Sequence, residues 1–381
     1  MSDPLFDPLA VGGGVTLPNR LVMSPMTRGF SPDGVPPETA ADYYGRRAEG
    51  GIGLIVTEGV AVEHPAAIGN SGSGGEDIPE MFGEAALAAW HGIVERVHGA
   101  GSIIFPQLWH QGGLRIDDSG RYKGRSPRPS GIWGPETPSP FFAAEYLALA
   151  TAETEPASEE EIADVIAAFA RSAANAMACG FDGIAIHGAH GYLLDTFFWH
   201  VTNRRDDGWG GPTLAERARF GAEVVRAIRR EIGDAPIMFR FSQWKLHDYG
   251  ARLAETPEAL AALLEPLADA GVDIFDASTR KFATPAFDGS PLGLAAWAQK
   301  ITGKPAMAVG GVGLADDLQS SLGQSSAVAD NVGQARAMVA SGEISLVGVG
   351  RGLLTNADWA SRVRGGEPLR AYDAADYRTR V

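Results

Sequence analysis

The chain has 381 residues, 45% of them hydrophobic, and a formal net charge of −15. This length can bury a sizeable core, and the acidic balance argues against a nucleic-acid or anionic-membrane partner, which would need a basic face. One cysteine, Cys179, excludes an internal disulfide and an all-cysteine iron–sulfur cluster; its alanine-rich surroundings predict a small core residue. Neither a secretory signal nor a bilayer-spanning apolar run is visible, so we expect a cytoplasmic protein.

Apolar, β-branched runs alternate with helical patterns along the whole chain, and each run predicts a buried strand. The predicted strands span residues 20–26, 52–60, 102–108, 182–187, 236–241, 273–277, 305–309 and 345–350. Strands that are each followed by a helix predict a (β/α)8 TIM barrel, with residues 1–381 forming a single domain. The alternative is a doubly wound sheet, but the glycine-rich turn G-x-G-x-x-G expected after its first strand is missing.

Capping residues mark the start of three predicted helices. Ser158 and Glu161 form one capping box, and Thr213 and Glu216 form another. Thr256 precedes a proline, which is favoured at the first position of a helix.

Three segments are longer than a minimal barrel needs. Residues 11–17 predict a glycine-turned hairpin that covers the bottom of the barrel. Residues 111–157, rich in proline, serine and aromatic residues, should cap the active face after the third strand. Residues 318–327 form a serine- and glutamine-rich insertion near the seventh strand.

The most informative motif follows the fourth predicted strand and contains His187, His190 and Tyr192. In such a barrel the active site lies at the C-terminal ends of the strands. Two hydrogen-bond donors beside a proton donor suit a site that polarises a carbonyl group and then protonates a carbon. The histidines could instead bind zinc, although no third ligand motif is evident, or one could be structural. The histidines without convergent partners are expected on the surface or in loops: His64, His91, His98, His200 and His247.

Glycines at the last two strand ends predict a phosphate-binding site. Gly310 and Gly311 follow the seventh strand, and Gly350 and Arg351 follow the eighth and lead into a helix. Backbone N–H groups can approach an anion closely where there is no side chain, and the arginine adds a bidentate cation. Each glycine could instead serve packing or a tight turn.

Other strand ends offer polar groups to a planar heterocycle. Gln107 can both donate and accept hydrogen bonds, as a pyrimidinedione edge requires. Arg240 supplies a fixed positive charge and Thr27 a hydroxyl group. Gln107 and Arg240 could each be buried structural residues, but their convergence on one face of the barrel favours a bound cofactor.

Together these residues resemble the old yellow enzyme family of flavin-dependent ene-reductases. The resemblance implies noncovalently bound FMN, NAD(P)H as the reductant, and ping-pong reduction of the C=C bond of α,β-unsaturated carbonyl compounds or similarly activated alkenes. The motifs that carry it are NRLVMSPMTR at 19–28, QLW at 107–109, IHGAHGYLLDTFF at 186–198, NRRDDGWGG at 203–211 and VGVGRGLLTNADW at 347–359.

The resemblance also implies a role for each matching residue. His187 and His190 would hydrogen-bond the substrate carbonyl oxygen, Tyr192 would donate the proton, and Trp109 would lie near the substrate. Residues implied to contact FMN are Pro25, Met26, Thr27 and Gly59, then Gln107 and Arg240 at the pyrimidine side, and Gly310, Gly311, Gly350 and Arg351 at the phosphate.

Two other functions stay open at this point: a metal-dependent barrel hydrolase or lyase, and a flavin-binding redox sensor without turnover. The chain combines His190, typical of one branch of the family, with Thr27, typical of another, so the quaternary structure is not implied and a homo-oligomer is compatible. Residues 377–380 either reach a neighbouring active site, as in some relatives, or form a frayed basic tail. Trp209 stands where tyrosine is usual, which we interpret as a structural change.

Overall fold

A closed barrel of parallel strands forms the centre of the computed structural model, preceded by a short antiparallel hairpin. The structure describes residues 3–72, 77–138, 141–317, 320 and 323–379. The hairpin strands are β1 (Leu9–Gly12) and β2 (Val15–Leu17). The barrel strands are β3 (Leu21–Met23), β4 (Leu54–Ala61), β5 (Ile103–Trp109), β6 (Ile184–His187), β7 (Ile237–Ser242), β8 (Ile274–Ser278), β9 (Ala306–Val309) and β10 (Leu346–Val349).

The predicted barrel is confirmed, because every predicted strand forms and β10 closes the sheet by pairing with β3. A doubly wound sheet would leave two open edges, so that alternative is wrong. Every residue of β4 is buried, and the other barrel strands are almost entirely buried. Parallel strands covered on both faces read as continuous apolar runs, which is why the sequence located them.

Helices pack around the barrel, and none in the described part of the chain is long and apolar enough to cross a membrane. In chain order they are α1 (Thr39–Glu49), α2 (Glu84–His98), α3 (Ala144–Ala150), α4 (Glu159–Ala178), α5 (Leu193–Phe198), α6 (Leu214–Arg217), α7 (Arg219–Ile232), α8 (Pro257–Ala270), α9 (Leu294–Thr302), α10 (Val332–Ala340), α11 (Gly352–Thr355) and α12 (Trp359–Gly365).

The predicted helix starts are also confirmed. Ser158 and Glu161 form a reciprocal capping box at the start of α4. Thr213 begins the single turn α6, after which Ala218 separates that turn from the longer α7. Thr256 caps α8 by accepting from the N–H of Ala259.

The hairpin covers the bottom of the barrel, as the sequence predicts. Val11 and Leu17 are buried against barrel residues that include Val22, Leu54 and Phe105. The predicted small core residue Cys179 is buried as well.

The long segment at 111–157 covers the opposite end. Trp133 and Tyr146 of this segment form one apolar cluster with Trp109 and Tyr192 of the barrel mouth. Part of the insertion at 318–327 lies outside the described residues.

Candidate active site

A cavity of about 980 Å³ lies among the C-terminal ends of the barrel strands. The structure places every residue predicted for the site on its lining. These residues are Pro25, Met26, Thr27, Gly59, Gln107, Trp109, His187, His190, Tyr192, Arg240, Gly310, Gly311, Gly350 and Arg351.

The two histidines and the tyrosine meet in a tight turn after β6. His190 has φ = 65° and Gly191 has φ = 84°, so the chain bends through the left-handed region immediately after the strand. The ring centroid of His187 lies 5.0 Å from that of His190 and 4.9 Å from that of Tyr192. Trp109 packs edge-on against Tyr192 at 4.8 Å. The turn therefore brings two imidazoles and a phenol together within the cavity.

Both imidazoles are held in the neutral form. Burial lowers the pKa of His187 well below its usual value, and Arg240 lowers it further. Burial likewise lowers the pKa of His190, with additional effects of His187, Arg240 and Lys245. The Nδ1 atom of His187 accepts from the N–H of Ala189 at 3.3 Å, so the proton of that neutral ring lies on Nε2.

The glycines after β9 and β10 have different structural requirements. A Cβ atom on Gly310, whose φ is 135°, would lie 2.3 Å from the carbonyl oxygen of Thr279, so only glycine fits. A Cβ atom on Gly350 would meet only the sulfur of Met26, at 3.8 Å. Packing does not require glycine at 350, and a bare backbone there leaves room for an anion.

Arg351 stands beside these glycines, and its Nη2 donates to the carbonyl oxygen of Asp316 at 2.9 Å. The helix that follows, α11, is a single turn. An anion in this part of the cavity would thus depend on nearby N–H groups and the guanidinium more than on the dipole of a long helix.

Gln107 shows that the cavity fits a polar heterocycle. Its backbone N–H donates to Oγ1 of Thr57 at 3.1 Å, but its Nε2 is buried without a hydrogen-bond partner among the described residues. A buried amide left unpaired costs about 1–3 kcal/mol. A ring carbonyl or ring nitrogen at this position would remove that cost.

Arg240 forms a buried ion pair that the sequence reasoning missed. Its Nε lies 3.0 Å from Oδ2 of Asp276, and both side chains are almost fully buried. Burial raises the pKa of Asp276 to about 6 even though the guanidinium opposes this shift. The aspartate projects from the middle of an apolar strand, β8, where nothing in the local pattern indicates a functional residue.

The charge of the cavity is opposite to that of the whole chain. No described aspartate or glutamate lines it, although the chain carries a net charge of −15. The arginines on its lining are Arg28, Arg240, Arg280, Arg351 and Arg378. Such a surface suits an anionic, phosphate-bearing ligand.

Aromatic side chains that the sequence reasoning did not select form another wall of the cavity. The ring of Trp244 stacks on His190 at 4.3 Å, and Tyr249 lies nearly parallel to Trp244 at 5.3 Å. Phe141 of the long covering segment also lines the cavity. Trp244 could have been selected from the sequence by its position, because it lies two residues after the end of β7.

The C-terminal segment docks on its own chain. Tyr377 and Arg378 line the cavity, and Nη2 of Arg28 donates to the carbonyl oxygens of Tyr377 at 2.7 Å and Thr379 at 2.8 Å. Of the two alternatives for residues 377–380, a frayed tail is therefore wrong for the described residues 377–379. Arg380 lies outside the described residues.

The remaining histidines are placed mostly as expected, since His91, His98 and His200 are exposed. His247 does lie in a loop, but it is completely buried against Trp133, and burial lowers its pKa to about 3. The covering segment, distant in sequence, causes this burial. Within the described ranges, no three histidine, cysteine, aspartate or glutamate residues are grouped so that they could hold a metal ion.

Comparisons with known proteins agree with this geometry. The model of the NADH:flavin oxidoreductase / NADH oxidase family matches residues 4–370. Chanoclavine-I aldehyde reductase fgaOx3 of Penicillium roqueforti is 31% identical over 382 residues, covering 98% of this chain and 92% of that protein. Morphinone reductase superposes with a TM-score of 0.78 at 26% identity, over 99% of this chain and 93% of its own. The old yellow enzyme homologue from Zymomonas mobilis also gives 0.78, at 25% identity, over 99% and 97%.

Proposed function

Because the chain belongs to the NADH:flavin oxidoreductase / NADH oxidase family, together with the old yellow enzymes, we propose that it is an ene-reductase that works by a ping-pong mechanism. The membership makes it an oxidoreductase with FMN and NAD(P)H as its cofactors. Its substrates are small α,β-unsaturated carbonyl compounds or similarly activated alkenes. The convergence of two neutral imidazoles and a phenol in an arginine-lined cavity carries this proposal.

The lining residues divide into three groups around FMN. Gln107 and Arg240 would meet the pyrimidine side of the ring, where the Nε2 of Gln107, unpaired among the described residues, would gain an acceptor. Pro25, Met26, Thr27 and Gly59 would line the ring, and Gly310, Gly311, Gly350 and Arg351 would hold the phosphate, since all of them line the cavity. Bound FMN would supply the hydride chemistry that connects NAD(P)H with the β-carbon of the alkene.

His187 and His190 act on the carbonyl oxygen. Negative charge develops on that oxygen as the β-carbon is reduced, and hydrogen bonds from the two imidazoles would stabilise it. The ring of His190 is held in place by Ser278, whose Oγ lies 2.8 Å from its Nε2. Neutral rings suit this task, because they donate a hydrogen bond and keep their proton. The low pKa values of the two rings support this assignment.

Tyr192 donates the proton that completes the reaction at the α-carbon. It is 8% exposed, and Trp109 and His187 pack around its ring, so its hydroxyl has a restricted set of positions. Trp109 also borders the substrate. Since one cavity serves both nicotinamide and alkene, the two bind in turn.

Replacing Tyr192 with phenylalanine tests this division of labour. We expect the rate of alkene reduction to fall about 10²–10⁴-fold, because the proton donor is lost, while reduction of the flavin by NADPH continues. Stopped-flow measurement of the two half-reactions would give both rates, with 2-cyclohexenone as the alkene.

Tyr146→Phe is the matched control. Tyr146 belongs to the same aromatic cluster and is buried, but it does not line the cavity, so both of its half-reactions should persist. If Tyr192→Phe slowed both half-reactions equally, the role of Tyr192 would be refuted. A native protein that NADPH reduces but that reduces no activated alkene would be a redox sensor instead.

A further inference from the structure

The ion pair between Asp195 and Lys245 lies directly beneath the catalytic turn, and the proposed mechanism does not use it. The two side chains are 0% exposed, and Nζ of Lys245 lies 2.8 Å from Oδ1 of Asp195. Neither residue lines the cavity. Burying two charges carries a desolvation cost that often exceeds their attraction, so such a pair is weak evidence of stabilisation and invites another explanation.

The pair is fully hydrogen-bonded, and its bonds connect two segments of the chain. Oδ2 of Asp195, in α5, accepts from the N–H of Gly191 at 2.7 Å. The ammonium group of Lys245 also donates to the carbonyl oxygens of Ser242 and Gln243, each at 3.2 Å. The turn after β6 is thereby linked to the segment that follows β7.

Further bonds complete this link on both sides of His190. Its N–H donates to Oγ of Ser242 at 3.0 Å, and its carbonyl oxygen accepts from the N–H of Leu246 at 3.0 Å. Trp244, adjacent to Lys245, stacks on the imidazole. His190 is thus held through its backbone and its ring by residues 242–246.

The turn needs such support, because its backbone is not locally favourable. A residue other than glycine in the left-handed region, as His190 is, persists only where its surroundings hold it there. A Cβ atom on Gly191 would lie 2.3 Å from Nδ1 of His247. The conformation that places His190 and Tyr192 therefore depends on tertiary contacts.

We propose that Asp195 and Lys245 are positioning residues for alkene reduction, which lock the turn carrying His190 and Tyr192 to the segment after β7. This inference rests on the proposed function. The pair acts on how the carbonyl is oriented and on the face from which the α-carbon receives its proton. It does not touch the cofactor-binding part of the cavity.

The double variant Asp195→Asn/Lys245→Met separates positioning from simple structural support. Each single replacement leaves one buried charge without its partner and should destabilise the fold strongly. The double replacement removes both charges at similar volume, so its Tm should return close to that of the native protein. The hydrogen bonds that Lys245 makes between the two segments are nevertheless lost. The kcat for alkene reduction should therefore stay about 10- to 100-fold below the native value, as expected for a small displacement of reacting groups.

The stereochemistry of the product gives an independent readout. Reduction of 2-methylcyclohex-2-en-1-one creates a stereocentre at the α-carbon, and the enantiomer ratio of 2-methylcyclohexanone at early times reports the face of protonation. We expect the native enzyme to give one enantiomer in large excess. We expect the double variant to lose much of that excess, because water competes with a displaced Tyr192.

Asp273→Asn provides the control, since it breaks the ion pair of Asp273 with Arg229, 2.6 Å long, outside the cavity. It should lower the Tm and leave both kcat and the enantiomer ratio unchanged. A double variant with native kcat and native enantiomer excess would overturn the positioning role. Failure of the proposed function itself would look different, because the native protein would then reduce no activated alkene.

Discussion

At the bottom of the barrel, Leu17 and Phe105 belong to a cluster built from apolar side chains, whereas at the top Arg240 and Asp276 form a buried ion pair beside a strained histidine, His190. Burying apolar groups stabilises a fold by about 25 cal/mol per Å². Burying charged groups and holding a histidine in the left-handed backbone region both tend to destabilise the fold. Apolar burial at the bottom of the barrel therefore offsets the free-energy cost of the charged and strained groups at the top.

Among the changes that compare the two ends of the barrel, removing a hydrogen-bond donor at the top is expected to have the largest effect. His187→Ala should lower kcat/KM for 2-cyclohexenone about 10²–10³-fold, because one donor to the developing charge is lost. The Tm should change much less than the activity does. Steady-state kinetics and thermal unfolding of the same sample measure these two quantities. A large fall in Tm with little loss of activity would contradict the expectation that His187 contributes to catalysis more than to stability.

A change at the bottom of the barrel should have the converse result, a loss of stability without a loss of activity. Leu17 is 0% exposed, and Leu17→Ala should reduce the free energy of unfolding by about 2–5 kcal/mol through lost burial and the cavity left behind. Urea unfolding measures this loss. The kcat of the folded fraction should equal that of the native enzyme. A lowered kcat would show that the hairpin at the bottom of the barrel also shapes the active site.

A smaller, pH-dependent effect is expected at Glu58, near the top end of β4. Burial raises its pKa from 4.5 to about 7, although it accepts hydrogen bonds from the N–H groups of Arg28 and Gly29. The folded state therefore binds this proton more tightly than the unfolded state. Its contribution to stability is complete below pH 4.5 and is lost as the pH rises to about 7, by on the order of 3 kcal/mol.

Glu58→Gln should flatten the fall in unfolding free energy between those two pH values, because the neutral amide does not titrate. Denaturant unfolding at several pH values provides the measurement. An identical slope in Glu58→Gln and the native protein would show that Glu58 titrates normally.

The smallest effect is expected away from both ends. Ser158→Ala removes the side-chain acceptor of the capping box at the start of α4 and should cost about 1 kcal/mol of stability. Kinetic constants should not change. A shift in kcat would indicate that α4 is coupled to the active site.

The sequence located the barrel and most of the candidate site because both depend on local patterns. Strands buried on both faces appear as apolar runs, and the site motifs stand where those runs end. Trp244 and Tyr249 were not predicted, because they lie in a segment after β7 that carries no motif. Asp276 escaped notice because it lies within an apolar strand.

The sequence by itself determined the fold class, the family and many of the residues that line the cavity, since periodicity, capping and motifs are properties of neighbouring residues. Only the tertiary structure decided which charges pair in the interior, as with Lys245 and Asp195, and that His247 is buried. It also decided that the carbonyl groups of Tyr377 and Thr379 bind Arg28 of the same chain. Burial and pairing depend on segments distant in sequence, and closing the barrel is what brings those segments together.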